Sequence, residues 1–184
     1  MRNVTVAAVQ MKCSKSVEKN IAHAEELVRQ AAAKGAEIVL LPELFERPYF
    51  CQERRYEYYE YAQTAEENPA VRHFSRVAAE LGIVIPVSFY EKEVNNTYNS
   101  VAVLDADGKN LGVYRKTHIP DDHYYQEKFY FTENGFKRIS KCFEKEAVGR
   151  VSPVTVSLTV PRDLSSSCGT CVRFHTEADF PEKT

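Results

Sequence analysis

Two apolar, β-branched runs, residues 4–11 and 38–41, enclose a stretch in which Ile21, Ala24, Leu27, Val28, Ala31 and Ala32 recur at intervals of three and four. That spacing is the period of an amphipathic helix, and the flanking runs suit strands buried on both faces. Ser14 or Ser16 offers a side-chain oxygen to cap the helix, and Gly35 tolerates the left-handed backbone that ends it. The second run closes on Pro42, which has no N–H to give to a ladder, so Glu43 falls just past the C-terminal end of a strand. Open α/β sheets form their ligand crevice at such a place.

The pattern then repeats. Asn68 as cap and Pro69 as first helical residue announce a second helix with Val71, Phe74, Val77, Ala78 and Leu81 on one face, and Gly82 stops it. Residues 83–90 read as a strand. Residues 98–105 alternate in polarity, Asp105-Ala-Asp-Gly-Lys109 forms a turn, and residues 111–115 return, which predicts a hairpin. Helices interleaved with strands, followed by a hairpin, give an α/β layered domain with a mixed sheet. After Lys137 the character changes: residues 138–150 are mixed and charged, residues 151–160 alternate like an edge strand but contain Pro153, and residues 165–169 read as loop. There is no internal repeat.

At 184 residues and 43% hydrophobic composition, the chain suits one domain with a sizeable core. Its 24 Lys and Arg against 26 Asp and Glu leave a net charge of −2, which provides no electrostatic basis for binding nucleic acid or an anionic membrane. Small solutes or proteins are the expected partners. No apolar stretch approaches the roughly 20 residues of a membrane span, and the N-terminal apolar run is too short for a signal peptide, so the expected location is cytoplasmic. The five cysteines, Cys13, Cys51, Cys142, Cys168 and Cys171, are an odd number without an export signal and read as free thiols. Cys168 and Cys171 with His175 have the outline of a metal or redox motif. A structural zinc needs four ligands, however, and only Cys142 remains, at no recognisable spacing, so no metal is expected.

Three charged residues are candidates for chemistry. Glu43, flanked by Leu41, Leu44 and Phe45, is either a desolvated general base or a solvated loop carboxylate. Lys116 follows a strand and is either an oxyanion-stabilising cation or an ordinary solvated lysine. Glu127 has the same two readings, with three nearby aromatics to desolvate it.

The order of blocks is more specific than any one residue. Val6-Ala-Ala-Val-Gln-Met11, Ile38-Val-Leu-Leu-Pro-Glu-Leu-Phe-Glu46 and Tyr114-Arg-Lys-Thr-His-Ile-Pro120 together resemble the nitrilase superfamily of C–N hydrolases. Pro48-Tyr-Phe-Cys-Gln52, Pro86-Val-Ser-Phe89, Tyr98-Asn-Ser-Val101 and Gln126-Glu-Lys-Phe-Tyr-Phe-Thr132 bring it nearest to the N-carbamoylputrescine amidase type. The resemblance implies a four-layer αββα sandwich, here its N-terminal half, and homo-oligomers. It also implies an amidase that converts N-carbamoylputrescine and water to putrescine, carbon dioxide and ammonia in polyamine biosynthesis, without metal or organic cofactor. By the same resemblance Glu43 is the general base, Lys116 stabilises the tetrahedral intermediate, and Glu127 is a second active-site glutamate that positions them. Asp121 and Tyr125 fall in the segment that lines the substrate pocket.

The family's nucleophilic cysteine lies a little beyond the Phe-Tyr-Phe-Thr block, on a glycine-rich strand ending in a Cys-Trp-Asp elbow. This chain has no tryptophan, and nothing aligns with that elbow past Lys137. Cys142, Cys168 and Cys171 lack the elbow pattern, and Cys51 occupies a matched block without being the family nucleophile. The expected organisation is therefore a partial C–N hydrolase domain over residues 1–137 and a divergent or out-of-frame tail over 138–184. Such a chain is expected to be inactive for want of the cysteine segment, or to be a silent fragment that associates with intact homologues. A tail that supplies one strand would leave a face of the sheet uncovered and the protein poorly soluble.

Overall fold

The computed structural model of the protein describes residues 4–133 together with two short strands at 154–157 and 173–176. The chain divides into two compact units, residues 3–139, and residues 140–184 with 1–2.

In the larger unit, helix α1, Val17–Ala33, starts where Ser16 accepts a hydrogen bond from Lys19 N at 3.3 Å. Ser14, the other candidate cap, instead exchanges hydrogen bonds with the Asn20 amide at 2.8 Å. The chain leaves α1 through Gly35 at φ +88°, a conformation that costs glycine little. Helix α2, Pro69–Leu81, opens on Asn68, whose side-chain oxygen accepts from Val71 N at 2.9 Å, and closes on Gly82 at φ +64°. Both helices are placed and terminated by the residues that the sequence offers for it.

Strands β1, Val6–Ala8, and β2, Ile38–Leu40, pair in parallel. Strands β3, Ile85–Glu93, β4, Asn96–Leu104, and β5, Asn110–Arg115, form an antiparallel ladder. A parallel bridge from Ile38 to Val84 links the two sets, with Val39 N donating to Val84 O at 3.0 Å and Val84 N to Glu37 O at 2.9 Å. The strands thus run in the order β1, β2, β3, β4, β5. The hairpin between β4 and β5 turns at Gly108, where φ is +82° and a Cβ would lie 2.6 Å from Ser75 O, so glycine is required twice over. A second hairpin, between β3 and β4, was not expected. It turns through Val94 at φ +52°, and its Val-Asn pair carries no glycine to announce it.

Helices α1 and α2 pack on one face of this sheet. Val28, Phe74, Val77, Ile85, Val87, Phe89, Ala102 and Leu104 are buried between the layers, and Phe45 meets Phe74 edge-on at 5.9 Å. Burial of side chains of this size stabilises by about 1.5–3 kcal/mol each. The other face carries Ser88, Tyr90 and Asn99, because successive strand residues alternate in direction. Tyr90 packs there under an aromatic cluster centred on Phe50, with Tyr130 and Phe131.

One expectation needs correction. The apolar run at residues 4–11 is not a strand buried on both faces: only Val6–Ala8 is extended in the ladder, Val6 is 40% exposed, and Ala8 is exposed. Among the described residues β1 pairs with β2 alone, and only Ala7, Val9 and Met11 reach the helical core. The central run Val6-Ala-Ala-Val9, apolar at every position, conceals that period of two.

In the smaller unit, β6, Val154–Ser157, falls inside the alternating stretch at 151–160 and pairs antiparallel with β7, Arg173–Thr176. Among the described residues the tail thus has two strands where one was expected. Arg-Phe-His-Thr has a single apolar residue, too few to signal a strand. His175 lies on β7, while Cys142, Cys168 and Cys171 lie outside the described residues. No helix among the described residues is long and apolar enough to cross a membrane.

Candidate active site

Glu43 follows β2 after Leu41 and Pro42, and the next residue, Leu44, adopts φ +50°. A left-handed conformation is costly for a branched-chain residue. Burial of the Leu44 side chain and a 3.0 Å hydrogen bond from its N–H to Ser88 Oγ hold it there. The effect is to turn Glu43 toward the aromatic side of the sheet. Lys116, immediately after β5, donates its backbone N–H to Asn99 O at 2.8 Å, so its side chain and that of Asn99 emerge side by side. Arg115, one residue earlier, faces the opposite way and is held by two hydrogen bonds to Glu91, at 2.8 and 2.6 Å. Strand alternation thus separates two adjacent cations into two different environments.

Glu127 arrives from a short 3-10 turn, Glu127–Phe129. Gln126 N donates to Cys51 O at 2.9 Å and Thr132 N to Thr97 O at 2.8 Å. Tyr130, whose hydroxyl donates to Glu53 O at 2.6 Å, ties this turn to the loop that follows Glu43. Glu127 is 1% exposed.

The three candidates meet. Lys116 Nζ lies 3.0 Å from Glu43 Oε1, 3.0 Å from Glu127 Oε1 and 2.8 Å from Glu127 Oε2. Asn99 Nδ2 donates to the same Glu43 oxygen at 2.6 Å, and the Tyr49 hydroxyl donates to Glu127 Oε1 at 2.5 Å. Two carboxylates therefore share one ammonium, with a neutral donor at each end. Burial pushes the Glu127 carboxyl up from its ordinary value and the Glu43 charge adds to this, against the pull of Lys116. Burial works against the Lys116 charge too, but the two carboxylates outweigh it and hold its pKa above the ordinary lysine value.

Asp121 and Tyr125 are placed differently. Asp121 is exposed and lies 3.7 Å from Arg54 in an ion pair. Tyr125 is half-buried, with its ring 6.1 Å from that of Tyr49. Only the tyrosine is thereby connected to the cluster.

The sequence blocks contained Tyr49, Cys51 and Asn99 without giving them a place in the site. Asn99 was detectable in principle, as an amide at a buried position of a strand that otherwise alternates in polarity. Tyr49 was hidden among the tyrosines. Cys51 is fully buried, and burial together with the Glu127 and Glu43 charges pushes its thiol far up, so it stays protonated and poorly nucleophilic.

A family model described as carbon-nitrogen hydrolase matches residues 5–160. The chain belongs to that family. The N-carbamoylputrescine amidase of Arabidopsis thaliana is 48% identical over 149 residues, which is 80% of this chain and 50% of the relative. The N-carbamoylputrescine amidase of Solanum tuberosum is 50% identical over 149 residues, with the same coverage of 80% and 50%. A citrullinase of Francisella tularensis is 43% identical over 151 residues, 81% of this chain and 53% of the relative. The chain spans about half the length of the curated relatives it matches. Among solved structures, a carbon-nitrogen hydrolase from Helicobacter pylori superposes with a TM-score of 0.66 at 32% identity, over 72% of this chain and 45% of that one. An amidase from Nesterenkonia, at 20% identity and a TM-score of 0.61, shares the fold. The α/β architecture described above is thus the family's, covering part of its domain.

Proposed function

We propose that this chain carries the base-and-lysine half of an amide hydrolase for N-carbamoyl amines of the N-carbamoylputrescine type, and that it does not turn over by itself. The shared ammonium between Glu43 and Glu127 carries this reading. A carboxylate held at 3.0 Å from a buried lysine is suited to take a proton from an attacking thiol, and the lysine to hold the oxyanion that forms as the thiol adds to the carbamoyl carbon. Ammonia then leaves. Water activated by the same carboxylate hydrolyses the carbamoyl thioester, giving carbon dioxide and the free diamine. Glu127 holds the lysine, and Tyr125 lines the approach.

Among the described residues no thiol is suited to this attack. Of the described residues only Cys13 and Cys51 carry one. Cys13 packs at the helical core with its thiol pushed up by burial, and Cys51 is closed off and protonated. Purified chain incubated with N-carbamoylputrescine is expected to release no ammonia above a blank. Release at the rate of a full-length relative run alongside would overturn the inactive reading. If a full-length relative also fails on this substrate while cleaving another amide, the assigned substrate class is wrong.

A second reading, a silent fragment that associates with intact homologues, is favoured by the edge of β1 that pairs with no strand among the described residues. There Ala7, Val9, Leu27 and Ala31 line a shallow apolar groove. Failure to co-purify with a full-length copy expressed in the same cell would remove it.

A further inference from the structure

The loop that follows Glu43 sends one polar group back into the cluster, the Tyr49 hydroxyl. It ends on Glu127 Oε1, the oxygen that also accepts from Lys116 at 3.0 Å, with the Cys51 thiol beside it. Its ring is fixed from the outside by Tyr125 at 6.1 Å, and the next residue, Phe50, is the hub of the aromatic cluster. The hydroxyl is therefore aimed by packing on both sides. The groups that face Glu127 are Lys116, Glu43, Tyr49 and Cys51. Among them Lys116 and Tyr49 donate hydrogen bonds to its carboxylate.

We infer that Tyr49 is a positioning residue of the Glu43–Lys116–Glu127 centre, whose hydroxyl keeps Glu127 ionised and aligned so that Lys116 remains a fixed cation. Burial alone drives Glu127 toward its neutral form. A neutral Glu127 would leave Lys116 with one carboxylate and a looser position, and the distance from lysine to base would no longer be set. A hydroxyl donor counters this without adding a charge that would compete with Lys116. The phenol suits the task because burial and the Glu127 charge push its own pKa far above the ordinary tyrosine value, so it stays a donor. The inference rests on the proposed role of Glu127 in this centre.

The test is the titration of the Glu127 side-chain carboxyl carbon, followed by NMR in the full chain, which requires no turnover. In Tyr49→Phe the ring and its contacts remain and the donor is lost. The Glu127 midpoint should rise by about 1 pH unit, the size expected for one hydrogen bond to a charged group. A ring-fluorinated tyrosine placed at position 49 alone keeps the shape and donates more strongly, so the midpoint should fall. Opposite shifts are not produced by a purely structural role. An unmoved midpoint in the fluorinated protein overturns the inference, and so does an unmoved midpoint in folded Tyr49→Phe. Should Tyr49→Phe not fold, the fluorinated protein decides alone. Ammonia release is read separately: its outcome bears on the proposed function, whereas the carboxyl midpoint bears on Tyr49.

Discussion

The two faces of the β3–β5 ladder are built from the same strands by opposite rules. Toward α1 and α2 the alternating residues Ile85, Val87, Phe89, Ala102 and Leu104 are apolar and fully buried. On the other face Ser88, Tyr90, Asn99 and the residue after β5, Lys116, are polar at their tips, and each bears on a loop that carries Glu43 or Glu127. The first face derives its stability from area removed from water and tolerates changes of the same volume. The second buries charges, which is expensive unless each has its partner. Apart from the buried Arg115–Glu91 pair toward the ends of its strands, the helical face is an apolar platform, while the other face places its buried charges where the candidate chemistry lies.

If that division holds, substitutions on the two faces should differ in what they change. Phe74→Ala should have the largest effect on stability, a loss of about 4 kcal/mol from the apolar layer, with the Glu127 carboxyl titration unmoved. Urea unfolding and the NMR titration of the same sample check both halves. A moved titration would show that the faces are coupled.

Lys116→Met should cost somewhat less, about 3 kcal/mol at neutral pH, because its carboxylate partners are left without their cation but Glu43 keeps partial contact with solvent. The loss should shrink as pH falls and the carboxylates take up protons, which distinguishes it from a packing defect. The wild type should show the matching alkaline limb. The pKa of Lys116 is raised in the folded chain, so its contribution is fully present below the ordinary lysine value of 10.5 and is lost as pH rises through the higher folded value. Melting temperature against pH should show this limb in the wild type and not in Lys116→Met.

Asn99→Leu should cost about 1–2 kcal/mol by removing a buried donor from Glu43 while preserving volume. Its distinguishing sign is a changed environment at Glu43 with the β3–β4 ladder intact, read from amide hydrogen exchange. The smallest effect belongs to neither face. Ser16→Ala should cost about 1 kcal/mol by uncapping α1, with no change at the cluster.

The family fold was legible in the chain because local signals agreed with it. Asn68-Pro69 and Gly82 bound α2 as expected, Ser16 caps α1, and Pro42 ends the strand run just before Glu43. Other features were not local. The β3–β4 hairpin turns on Val94, a residue whose own preference opposes the conformation it adopts. The run at 4–11 looked buried because periodicity cannot reveal whether a strand has neighbours on both sides. Asp121 and Tyr125 lie four residues apart in the same segment, yet one turns outward to Arg54 and the other inward to Tyr49, because that segment has no regular period from which direction can be read.

The order of blocks around Glu43, Lys116 and Glu127 follows from the sequence, since it depends only on which residue stands where. That these residues share one ammonium, that Asn99 and Tyr49 close the two ends of the row, and that Cys51 lies protonated beside it are matters of tertiary structure. The charges are separated by 73 and 11 residues along the chain. Only the strand alternation that turns Lys116 away from Arg115, the left-handed turn at Leu44 and the aromatic cluster around Phe50 bring them within 3.0 Å.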